Sequence, residues 1–231
     1  MNKIKRLLAY FTPFEWTLWI SSVVLIISSF LFLSAKDYLS FASSLIGVSA
    51  LIFSAKGNPI GQALMIVFCV MYGIISFSCA YYGEVFTYVF MTGPMAIYAL
   101  VSWMKNPYNG NRSEVKVNKI KSTEILLMFL LSAIVTVIFY FILRLFGTAN
   151  LFVSTLSVTT SFLAVYLTAR RSPFYALAYG TNDIVLIILW ISATIKNPSY
   201  ASTLTCFIVF LANDIYGFIS WKRMEKRQST K

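Results

Sequence analysis

Residues 212–221 read ANDIYGFISW, an apolar run with Asp214 near its start and Trp221 at its end. The run at 180–190, GTNDIVLIILW, has the same feature at the same spacing: Asn-Asp-Ile, with a tryptophan eight residues after the asparagine. Farther upstream, IYALVSW at 97–103 matches IYGFISW at 215–221 at Ile, Tyr, Ser and Trp. An acidic residue inside a run of bilayer-spanning length, and a helical motif used twice, point to a membrane bundle built by internal repetition.

Composition agrees with that reading. Of the 231 residues 58% are hydrophobic, 17% aromatic and only 12% charged, which leaves too little polar surface to cover a soluble domain. The net charge of +11 does not indicate nucleic acid, because the basic residues fall in short clusters between long apolar runs and so answer to membrane topology. Cys69, Cys79 and Cys206 lie inside apolar runs without metal-ligand spacing and read as small buried hydrophobes. The chain has no histidine, which excludes imidazole metal sites, histidine proton relays and histidine-dependent triads. No cofactor is implied. The basic start MNKIKRLLAYFTPFEW precedes a run of spanning length without a small-x-small cleavage site, so it predicts a retained membrane helix.

Cutting the chain at charged, Pro, Gly and Asn clusters predicts eight transmembrane helices, at about 14–35, 38–55, 60–81, 84–105, 124–146, 149–169, 173–195 and 199–222. The fold class is all-α and integral to the membrane. Most turns are short, so successive helices pack antiparallel; only 105–123, rich in Asn, Pro and Gly, is long enough for a true loop. With loops alternating sides, only Lys36, Arg144 and Lys196 fall opposite the N-terminal side, and all other Lys and Arg share it. That asymmetry predicts both termini in the cytoplasm and a multi-pass protein of the cell membrane.

The repeated motif extends upstream. Pro59 and Pro173 each open a helix just after a basic turn, SAKGNP at 54–59 and TARRSP at 168–173, at nearly the same distance from the matching motif. The predicted organisation is therefore an N-terminal segment with an extra helix (1–37), a first three-helix unit (38–105), a loop and linking helix (106–146), a second unit (147–222) and a basic cytoplasmic tail (223–231). Three helices reverse the chain's side and a single helix restores it, so the units are parallel repeats.

Glu15, Asp37, Glu84, Glu114, Glu124 and Glu225 fall in loops or at helix ends, whereas Asp183 and Asp214 lie within spans. A charge at mid-helix costs about 2.5–3.5 kcal/mol even on the lenient insertion scale, so these two should face the bundle interior or a wet cavity. At roughly 1.5 Å per residue both stand about 12–15 Å from the cytoplasmic face, at one level. Tyr179, Asp183 and Trp190 recur at i, i+4 and i+11 with Asn182 one step round; Asn213, Asp214 and Tyr216 form a matching patch on the last helix. Trp221, beside Lys222 and Arg223, falls where an interfacial belt residue is expected. Amides, carboxylates and aromatic rings at one depth suit a flat, polar and preferably cationic ligand. Without a Lys or Arg at mid-span, or a Gly-rich phosphate loop, a doubly anionic nucleotide is a poor guest.

The runs YALAYGTNDIVLIILW (175–190) and FLANDIYGFISWKRM (210–224) are similar to those of the PnuC vitamin transporters, chiefly importers of nicotinamide riboside. The resemblance covers roughly 38–226. It implies a SWEET-like arrangement of three plus one plus three helices, a homotrimer, and facilitated diffusion made one-way by a cytoplasmic kinase that phosphorylates the vitamin. It places substrate contacts on Asn182, Trp190, Asn213 and Tyr216, to which the residue pattern adds Tyr179, Asp183 and Asp214, with Tyr98 as the first-unit counterpart of Tyr216. Met95 and Ala96 stand where the second unit has Asn213 and Asp214, so the site should lean toward the second unit. Relatives carrying thiamine, riboflavin or deoxynucleosides make those the alternative cargoes. Two other classes compete. An intramembrane hydrolase would use Asp183 and Asp214 as a dyad, but each is preceded by Asn and lacks a Gly-rich neighbourhood. A structural subunit would use the same residues only as interhelical hydrogen-bonding groups.

Overall fold

The computed structural model describes residues 10–33 and 37–230. The basic residues before Tyr10, together with Lys36 and Lys231, lie outside the described residues. Eight helices are long and apolar enough to cross a membrane: α1 (Pro13–Leu33), α2 (Tyr38–Ala55), α3 (Ile60–Ser78), α4 (Tyr82–Lys105), α5 (Ser122–Leu145), α6 (Leu151–Ala169), α7 (Tyr175–Lys196) and α8 (Ala201–Ser229).

Local chemistry explains where they begin and bend. Before α1, the Thr12 N–H donates to Glu15 Oε2 at 2.6 Å and the Glu15 N–H to Thr12 Oγ1 at 3.3 Å, a reciprocal capping box with Pro13 at the first helical position. Asp37 caps α2 by accepting the Ser40 N–H at 3.0 Å. Within α4 the segment Phe86–Thr92 is a π-helix, and the Gly93 N–H reaches back to the Tyr88 carbonyl. Pro94 follows directly; it has no N–H to give and its ring crowds the preceding turn, and the widened π-turn accommodates both.

Two segments differ from the sequence expectation. The 105–123 loop contains an antiparallel pair, β1 (Pro107–Tyr108) and β2 (Asn111–Val115), turned at Asn109 and Gly110, both with positive φ. The tail from 223 is not a separate segment but two further turns of α8, ending at Ser229. The two changes are linked, because Gln228 accepts the Val117 N–H at 2.8 Å and donates to the Val115 carbonyl at 3.1 Å, fastening the hairpin to the helix end.

The two three-helix units pack alike. α2 lies on α3 and α3 on α4, while α6 lies on α7 and α7 on α8; the units meet crosswise, α2 against α8 and α4 against α6. α1 rests on α2 and α8, and α5 almost wholly on α6, so both stand outside the core. The turns after α2 and α6 share two backbone bonds. Gly57 (φ 67°) donates to the Ser54 carbonyl and Arg171 (φ 56°) to that of Thr168, while the Asn58 and Ser172 N–H groups reach Phe53 and Leu167.

The shared tryptophan of the repeat explains itself here. Trp103 Nε1 donates to the Thr168 carbonyl at 3.1 Å and Trp221 Nε1 to that of Ser54 at 2.8 Å, so each unit's third helix holds the end of the other unit's first. The two indoles meet with centroids 5.3 Å apart. Trp221 is fully buried, which corrects its expected place in an interfacial belt: its N–H finds a backbone carbonyl inside the bundle instead of a headgroup.

Candidate functional site

Between an aromatic core around Phe68, Tyr72, Trp190 and Phe207 and a second core around Trp103, Tyr175 and Trp221 lies a polar level formed by α6, α7 and α8. α7 and α8 approach across Ala176, Gly180 and Gly217; a Cβ on Gly180 would lie 3.9 Å from that of Asp214. This closeness sets the Asp183 and Asp214 side chains near each other between the two helices. Both are buried, and Asp183 Oδ2 has no partner.

Asn182 is held from the opposite side. Its Oδ1 accepts from Thr160 Oγ1 at 2.7 Å and Ser161 Oγ at 3.0 Å, two hydroxyls on the buried face of α6. Two hydroxyls thereby meet the carbonyl oxygen, and Nδ2, a buried double donor, has no partner. Leaving such a group unpaired costs about 1–3 kcal/mol. Tyr179 is half-buried and neighbours Asp183, Asp214 and Cys69, which are buried, so its ring belongs to this level.

Trp190 stands two turns farther along α7, fully buried, with Nε1 donating to Tyr72 Oη at 2.7 Å. Tyr81 meets it edge-on at 5.5 Å and Tyr200 at 5.8 Å. The result is an aromatic box, its rings in mutual contact, about two helical turns from Asn182 along α7.

The remaining expected residues lie elsewhere. Asn213 donates to Ser22 Oγ on α1 at 3.1 Å and to the Val209 carbonyl at 2.9 Å. Tyr216 donates to Glu15 Oε1 at 2.7 Å, and Glu15 is ion-paired with Lys56 at 3.0 Å. Both face the extra N-terminal helix, because i and i+3 on α8 share a side that Asp214 does not. Tyr98 is 58% exposed on the outside of α4. The structure thus gathers Asn182, Asp183, Asp214, Tyr179 and Trp190 and separates Asn213, Tyr216 and Tyr98 from them.

Sequence reasoning missed Tyr72, Tyr81 and, above all, Glu84. Glu84 does sit near a helix end, but α4 begins two residues earlier than expected and the carboxyl is completely enclosed. The available signal was the hydroxyl stripe Ser154, Ser157 and Ser161 on α6, at i, i+3 and i+7. Among the described residues no cluster of three His, Cys, Asp or Glu side chains could hold a metal ion.

Comparison with known proteins places this geometry. A sequence profile described as the nicotinamide mononucleotide transporter matches residues 37–223. The nicotinamide riboside transporter PnuC of Neisseria mucosa is 24% identical over 232 residues, covering 97% of this chain and 87% of the relative. A crystal structure described as the vitamin B3 transporter PnuC superposes with a TM-score of 0.83 at 22% identity, covering 94% of each chain. The likeness is to transporters, so the paired aspartates are not the dyad of an intramembrane hydrolase. An eight-helix membrane bundle whose profile match runs from the start of α2 almost to the end of α8 belongs to the PnuC family of membrane transporters.

Proposed function

We propose that this chain imports nicotinamide riboside across the cytoplasmic membrane by facilitated diffusion, with its termini and basic loops in the cytoplasm and phosphorylation there retaining the vitamin. The observation that carries this reading is the unpartnered Asn182 Nδ2, locked in place by Thr160 and Ser161 and set beside the aromatic box of Trp190, Tyr72 and Tyr81. The amide reads an acceptor on the cargo, the Asp183 and Asp214 oxygens read its hydroxyl or amide donors, and ring faces hold a flat, positive heterocycle. A phosphate is disfavoured. It would enter a level lined by carboxylates, while the described Lys and Arg side chains lie in loops and toward helix ends. These features favour the riboside over the mononucleotide of the family's description.

Calorimetric titration of the purified chain with nicotinamide riboside, its mononucleotide, thiamine, riboflavin and a deoxynucleoside tests the cargo. Tightest binding should be to the riboside; a preference for the mononucleotide would overturn it. In proteoliposomes, uptake should stop at equal concentrations inside and out without any proton or sodium gradient, and accumulation beyond that point would exclude the passive mechanism. The same reading includes a homotrimer, to be checked by mass measurement in nanodiscs.

A further inference from the structure

Glu84 is buried to zero exposure, and neither carboxyl oxygen has a hydrogen-bond partner. The Ser157 hydroxyl of α6 lies beside it, and Thr87, one turn along α4, is equally enclosed; both hydroxyls are also without partners. Three unpartnered polar groups thus stand together inside the bundle. A bare carboxylate in such a setting is costly unless something positive or hydrogen-bonding meets it. Ser157 and Ser161 are one turn apart on α6, and Ser161 holds Asn182, so Glu84 stands about one helical turn, or roughly 5 Å, beyond the Asn182 level. Tyr72, Tyr81 and Tyr88 all lie within electrostatic reach of Glu84, and Tyr72 and Tyr81 are walls of the aromatic box around Trp190.

We propose that Glu84, supported by Ser157 and Thr87 and standing one turn above the amide and aspartates that read the rest of the cargo, is the counter-charge of a cationic heterocycle held in the Tyr72–Tyr81–Trp190 box. This rests on the transport reading above and deepens it by assigning the cation to one carboxylate. Ring faces attract a cation modestly; a carboxylate desolvated beside them discriminates a charged ring from a neutral ring of the same shape.

Two ligands of nearly one shape test it, nicotinamide riboside and its reduced, uncharged dihydro form, titrated against the full chain in nanodiscs. Wild type should prefer the cation by about tenfold or more, Glu84→Gln should lose most of that preference with little change for the neutral form, and Glu84→Asp should keep it. Equal weakening of both ligands by Glu84→Gln, or no weakening, overturns the proposal while leaving the transport reading intact. Wild-type protein that binds neither ligand overturns both. Should Glu84→Gln not yield monodisperse protein, Glu84→Asp and wild type decide by competition: N-methylnicotinamide cation displacing the riboside about tenfold better than neutral nicotinamide supports the assignment, and equal displacement overturns it.

Discussion

The two three-helix units agree at the basic end of the bundle and part company at mid-depth. At the basic end they share a turn geometry, a left-handed residue and a tryptophan bonded to the other unit's first helix. At mid-depth, counting from Pro59 and Pro173, Phe68 and Cys69 occupy the positions of Asn182 and Asp183, and Met95 and Ala96 those of Asn213 and Asp214. α4 is also opened by a π-segment where α8 runs continuously. Packing that joins units has to be repeated, since each half completes the other. Recognition of an asymmetric small molecule has no such need, and in the proposed site one unit would supply amide and aspartates while the other would contribute Tyr72, Tyr81 and Glu84.

That contrast can be broken at graded cost. Asn182→Ala should weaken vitamin binding about 100-fold, since it removes the site's fixed amide, and Trp190→Ala similarly, while size-exclusion profiles stay monodisperse; retention of affinity in both would remove the second unit from the site. Asp183→Asn should cost about tenfold in titrations, whereas Cys69→Ser, its first-unit counterpart, should change affinity less than about threefold. Trp103→Phe and Trp221→Phe each delete one indole-to-carbonyl bond, and thermal unfolding should show losses of about 1 kcal/mol that agree with each other; a clear inequality would contradict the equivalence of the two joints. Smallest of all, Tyr216→Phe should lose about 1 kcal/mol of stability with its Glu15 bond but leave binding unchanged, and the exposed Tyr98→Phe should alter neither.

Much of this was readable in the chain. Eight spans, their short turns and the buried aspartates followed from length, apolarity and the cost of a charge in lipid, which are properties of single segments. What was not readable depended on which helix covers which face. Asn213 and Tyr216 carry the residue types of a binding patch, and only the docking of α1 turns them into contacts for Ser22 and Glu15. Trp221 has the flanking charges of a belt residue, yet its neighbour is a carbonyl on another unit. Glu84 looked interfacial because sequence gives depth along a helix to within a turn, and a turn is the difference between headgroup and interior. The hairpin at 107–115 escaped because its strands are short and its anchor, Gln228, is more than a hundred residues away.

The crossed indole bonds have a mechanical consequence. Because Trp103 ties α4 to α6 and Trp221 ties α8 to α2, cutting the molecule between its sequence halves would sever both ties, whereas cutting it between the α2–α8 pair and the α4–α6 pair would leave each tie inside one block. A seam that spares both ties therefore runs across the repeated sequence motif. Along that seam the Trp103 and Trp221 indoles meet at a tilt of 49°, with centroids 5.3 Å apart. Relative movement of the two blocks at this contact would leave both indole-to-carbonyl bonds intact.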